Sequence, residues 1–171
     1  MKWDDFLKAI NDGLKGDYYE SNCIKDYPKY GDIICIDQSL YYHYGIYVND
    51  EKIIHYAPNA GEEVKGKNAV IHSVNLKEFL NGKSEFYVYN CPKLPVILGN
   101  IPDPFTAFVH GYNLFTPEET VKRAESKIGE KNYNLIFNNC ENFAFWCKTG
   151  VAECLQSFNF LKGVRKDKIK I

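Results

Sequence analysis

The sequence predicts an α+β domain, and three observations carry that prediction. Short apolar strands separated by polar turns fill residues 33–89, a helix with a strong N-terminal cap signal begins only at residue 116, and a second helix signal starts near residue 139. At 171 residues, with 45% hydrophobic and 15% aromatic content, the chain can bury one real core. A net charge of −1 argues against a nucleic-acid partner, whose phosphates demand a basic surface.

The elements follow in order. Trp3, Phe6, Leu7 and Ile10 share one face of a short helix that ends near Gly13 or Gly16, and Tyr18–Lys29 reads as a linker closed by Pro28. Ile33–Ile36 is a continuously apolar strand, the pattern of burial on both faces. Tyr41–Val48 and Lys52–Ala57 are strands joined by a tight turn at Asn49-Asp50-Glu51. Ala69–Val74 and Glu85–Tyr89 are further strands, with a helical turn through Leu76, Phe79 and Leu80 between them. Residues 91–116 form a Pro-rich excursion that carries His110. Thr116, Pro117 and Glu119 spell a capping box with Pro at N1, opening a helix lined by Val121, Ala124 and Ile128 and stopped by Gly129. Tyr133–Phe137 is an extended lead-in to the last helix, and a basic tail closes the chain.

Chemistry concentrates in Asn138-Asn139-Cys140-Glu141-Asn142-Phe143. Asn138 or Asn139 can cap a helix, which places Cys140 in the first turn, where the macrodipole favours a thiolate and is expected to lower the thiol pKa. The same pattern also describes a core cysteine at an ordinary helix start. Six cysteines show no CxxC pair, and Cys140, Cys147 and Cys154 recur every seven residues, which fits helical register rather than zinc ligation. No signal-peptide core and no run of about 18 apolar residues is present, so a reducing, cytoplasmic setting without a transmembrane segment is expected.

Strand alternation points His43, Gly45 and Tyr47 one way and Tyr44, Ile46 and Val48 the other. A three-residue loop at Asn49-Asp50-Glu51 pairs Val48 with Lys52 and sets His55 opposite Gly45, diagonal to His43 on the same face. A two-residue loop would put the histidines on opposite faces. A thiol nucleophile needs a base, and the base needs a partner to fix its tautomer, so Cys140, His43 and His55 are candidates for those roles. His72 and His110 lack such company and read as surface or structural residues.

These residues resemble a known family. Gly31-Asp32-Ile33-Ile34, Tyr41 through Val48 and Ile53 through Pro58, followed by Val121 through Glu125, Ile128-Gly129, Tyr133-Asn134-Leu135 and Asn139 through Phe143, resemble the lecithin:retinol acyltransferase domain, and within it the H-Ras-like suppressor phospholipase A/acyltransferases. The resemblance implies a circularly permuted papain-like fold of NlpC type, an antiparallel sheet packed on the helix that carries the cysteine. The chain is expected to divide into an N-terminal helix and linker without clear counterpart in the family (1–27), a catalytic domain that carries the resemblance (28–155) and a basic tail (156–171). The resemblance implies a thiol acyl-transfer enzyme acting on phospholipid esters, with Cys140 as nucleophile, His43 as base, His55 as third polar residue and Tyr41 helping the Cys140 N–H to hold the oxyanion. No cofactor or metal is implied, and the partners are phospholipid and peripheral contact with a membrane. Asn142 departs from the family's histidine, and Tyr44 from its tryptophan. The competing classes are a cysteine peptidase or amidase with the same triad, and a non-catalytic binding module.

Overall fold

The computed structural model describes residues 23–38, 41–59, 68–91, 114–133 and 139–152. The expected N-terminal helix, most of the Pro-rich excursion with His110, the lead-in after Tyr133 and the basic tail lie outside the described residues.

Among the described residues six strands form one antiparallel sheet: β1 (Cys23–Ile24), β2 (Ile33–Asp37), β3 (Tyr42–Asn49), β4 (Lys52–Ala57), β5 (Val70–Val74) and β6 (Tyr87–Tyr89), in the order β1-β6-β2-β3-β4-β5. With helices beside it, the molecule is α+β as expected. β1 is an addition that the sequence does not announce, since a two-residue strand is too short to show alternation and is recruited by its pairing with β6.

The pleat divides the core into two layers. One contains Ile33, Cys35, Tyr44, Ile46, Ile54 and Tyr56, and α2 (Pro117–Ser126) and α3 (Cys140–Thr149) pack against it. The other contains Ile34, Ile36, Tyr47, Ile53 and Val88 under Phe79 of α1 (Leu76–Leu80). β2 is therefore buried on both faces, as its unbroken apolar run predicts. Each fully buried isoleucine contributes roughly 1.5–3 kcal/mol against the entropy of ordering the chain.

The hairpin differs in detail from its expectation. Gly45 pairs with His55, Ile46 with Ile54 and Tyr47 with Ile53, as predicted, but Asn49 rather than Val48 pairs with Lys52. The turn has two residues, and an irregularity between Tyr47 and Asn49 restores the parity that a three-residue loop would have given.

The helices are fixed by their ends. Thr116 and Glu119 close the predicted capping box on α2, which ends at Ser126, so Ile128 lies beyond it and is 48% exposed rather than core-facing. The Arg123 guanidinium stacks between Phe115 and Trp146, 4.4 and 3.8 Å from their ring centroids, and donates to the Trp146 carbonyl, tying α2 to α3. Gly31 sits at φ +80°, and a Cβ there would lie 2.6 Å from Pro117 Cα, so the start of β2 can approach α2 only with glycine.

Candidate active site

The site forms where the sheet forks. The β3–β4 ladder runs from Asn49–Lys52 to Gly45–His55. Beyond it, among the described residues, Tyr44, His43 and Tyr42 continue their pairing with β2, while Tyr56 and Ala57 pair with β5. The first residue of α3, Cys140, meets β3 at this fork. Its Sγ lies 4.0 Å from the Tyr42 carbonyl oxygen and is hydrogen-bonded by the Tyr44 N–H, so the sulphur touches the peptide groups on both sides of His43.

Asn139 is the cap that holds it there. Its Oδ1 accepts from Glu141 N at 2.9 Å and from Asn142 N at 3.1 Å, and Asn142 Oδ1 accepts from Asn139 N at 3.1 Å. Asn142 thereby closes a reciprocal capping box, which gives a local reason for an amide at this position. Phe143, Ala144 and Cys147 bury the helix behind the thiol, as their spacing predicts.

The imidazoles lie on the other face of the pleat, against Phe79, whose ring is 5.4 Å from that of His43 and 5.7 Å from that of His55. His43 Nε2 and His55 Nδ1 share a hydrogen bond at 2.9 Å. His55 Nε2 and His72 Nε2 share another at 2.8 Å. His72 was expected to be isolated, and the structure corrects that: β5 sets it directly opposite His55. The only sequence signal for this was a histidine on a strand, because the connection between residues 57 and 70 is too long to fix a register. His55 uses its two nitrogens in opposite directions, so the three rings form a line rather than converge on a point.

The electrostatics correct a second expectation. Cys140 is 4% exposed, and burial pushes its thiol up to about 12, with the Glu141 charge adding to the rise. The N–H groups of Tyr44, Glu141 and Cys140 itself favour the thiolate but do not outweigh dehydration. Burial, with the His72 charge second, lowers His43 to about 4, and burial lowers His55 and His72 too. At neutral pH the site rests as a neutral thiol beside neutral imidazoles. The sulphur's hydrogen-bond partners among the described residues are backbone groups, not His43, His55 or His72. Tyr41, beside β3, is 38% exposed, and burial followed by the Cys140 charge raises its pKa.

Residues 26–153 match the family model described as lecithin retinol acyltransferase. The chain belongs to the lecithin retinol acyltransferase family. The match spans β2 through α3 and so includes Tyr41, His43, His55, His72 and Cys140. Lecithin retinol acyltransferase of Bos taurus is 23% identical over 182 aligned residues, covering 94% of this chain and 72% of that protein. The Rattus norvegicus enzyme of the same name is 24% identical over 152 residues, and this chain spans 60% of its length and is itself covered over 79%. Phospholipase A and acyltransferase 2 of Homo sapiens is 30% identical over 129 residues, covering 73% of each chain. Among the described residues of this family member, no helix is long and apolar enough to cross a membrane.

Proposed function

We propose that this member of an acyltransferase family moves acyl groups from phospholipid esters through a thioester on Cys140, as a phospholipase A, an N- or O-acyltransferase, or both. The observation that carries this reading is the position of the thiol, set at a helix N-terminus against the peptide groups that flank His43. Relatives named for lecithin and phospholipid substrates support the choice of ester.

His43 takes the thiol proton at Nδ1, the nitrogen not engaged by His55, as Sγ attacks the acyl carbonyl. The oxyanion that forms is held by the Cys140 N–H and the Tyr41 hydroxyl. The ester C–O bond then breaks, the lysophospholipid oxygen leaves with the proton from His43, and the acyl group remains on sulphur. Water or an amine or hydroxyl acceptor attacks the thioester, gives its proton to His43 and restores the thiol. Prior ionisation is disfavoured, because burial pushes the thiol up and the His43 imidazole down. Proton transfer and S–C bond formation therefore proceed together.

Strands bearing His43 and His55 precede the helix bearing Cys140, an order that supports a circularly permuted papain-like arrangement of NlpC type, with 28–155 as the catalytic unit. Peripheral contact with a membrane surface would deliver the lipid. Incubation with a phosphatidylcholine followed by intact-mass measurement should show one acyl adduct at Cys140, absent in Cys140→Ser. Folded protein that forms no adduct and releases no fatty acid, or that cleaves amides instead, would overturn this assignment.

A further inference from the structure

The two N···N contacts that join His43, His55 and His72 each hold one proton, and the proton has a direction. In one alignment His43 donates from Nε2 to His55 Nδ1, and His55 donates from Nε2 to His72 Nε2, which accepts. His43 then carries a lone pair on Nδ1. In the other alignment His72 donates from Nε2, His55 donates from Nδ1, and His43 accepts at Nε2 and carries its proton on Nδ1. Both alignments satisfy every contact in the chain. Only the first leaves His43 able to take a proton from the thiol. The His43–His55 pair cannot choose between them, because it is satisfied equally by either. The choice falls to the ring at the open end of the line.

We propose that His72 is a positioning residue: as a neutral acceptor at Nε2 it aligns the chain so that His43 stays basic at Nδ1, and its protonation reverses the chain and silences His43. This rests on the assignment of Cys140 and His43 above. Protonated His72 has a proton on both nitrogens and can only donate to His55. In the reversal the His55 Nε2 proton passes to His72 Nε2, the His43 Nε2 proton passes to His55 Nδ1, and the proton added from solvent lands on His43 Nδ1, so His43 stays neutral but blocked while the charge rests on His72. His72 is suited to hold the added charge because it is half-buried on β5, the end strand of the described sheet, whereas His55 is buried. Among the described residues three titratable groups face it: His55 from β4 in direct contact, His43 from β3 beyond it, and Glu78 from α1. The Glu78 carboxylate favours the protonated form, and burial opposes it.

Two readouts test the assignment. Long-range 1H–15N correlation spectra of 15N-histidine protein near pH 7.5 should show His43 and His55 protonated at Nε2 only. On acidification, both should switch to Nδ1–H as His72 gains its second proton. In phospholipid hydrolysis, His72→Leu should lower kcat about tenfold or more with KM changed less than about twofold, and its spectra should show mixed tautomers. His72→Gln, whose amide oxygen accepts from His55 but does not titrate, should restore most of kcat and move the acid limb of kcat/KM down by about one pH unit or more. A wild-type His43 that carries Nδ1–H near pH 7.5, or a His72→Gln acid limb that coincides with the wild type, would overturn the proposal. The spectra decide the role of His72 even if Cys140→Ser hydrolyses lipid normally, a result that would overturn only the thioester assignment.

Discussion

Acidification should destabilise this fold through His43 before most carboxylates titrate. Burial, and secondarily the His72 charge, hold its pKa near 4 in the native state, against about 6.5 in the unfolded chain. As pH falls below 6.5, the unfolded chain takes up a proton at this residue while the native state does not. The contribution is therefore fully present above about pH 6.5 and is lost as pH falls towards 4. The whole span is worth about 3 kcal/mol, of which about 1 kcal/mol falls between pH 7 and 5.5. His55 and His72 shift in the same direction and steepen the loss. Urea unfolding followed by tryptophan fluorescence at pH 7 and 5.5 gives the slope for the wild type and for His43→Gln. The variant starts less stable, because it loses the hydrogen bond to His55, but it should lose about 1 kcal/mol less than the wild type over the same interval. Carboxylates held low by their partners, such as Asp50 and Glu119, titrate in both proteins and cancel in the difference. Equal losses in the two proteins would refute the claim that His43 is held neutral by its surroundings.

Two further outcomes follow from the geometry. In Gly45→Ala, the new Cβ would lie 2.8 Å from both Ile53 Cγ2 and Phe79 Cε2, so the variant should cost about 1–3 kcal/mol in urea unfolding and push Phe79 into the two histidine rings. Adding Phe79→Leu should recover part of that cost, and strict additivity of the two changes would count against the packing explanation. Cys140 should alkylate with iodoacetamide at about pH 7.5 more slowly than a free thiol, with a rate still rising near pH 10, because its pKa stands near 12. Peptide mass mapping follows the rate, and an inflection near neutral pH would show a resting thiolate instead.

Much of the site was legible in the chain. Alternation along Tyr42–Asn49 directs His43 and Gly45 to one face and Tyr44 and Ile46 to the other wherever the strand is placed, and the core layers follow that division. Asn139 before Cys140 and Thr116 before Pro117 mark helix starts because capping is satisfied by side chains within three residues. The parity of the β3–β4 hairpin was also readable, although the structure reaches it through a two-residue turn and an irregularity rather than through a three-residue loop.

What lay beyond reach depends on distant packing. The pairing of His55 with His72 spans a connection from residue 57 to 70, and no local rule sets the register across it. The thiol pKa went the other way from the helix-start expectation, since a dipole is a property of the local backbone but dehydration depends on everything packed around the sulphur. By itself the sequence determined which side chains share a face and where helices begin, because periodicity and capping act within a few residues. Only the tertiary structure decided that the sheet forks beside His43, that the thiol fills the fork in its neutral form, and that a third histidine completes the line, because those outcomes depend on which distant backbones and apolar surfaces meet.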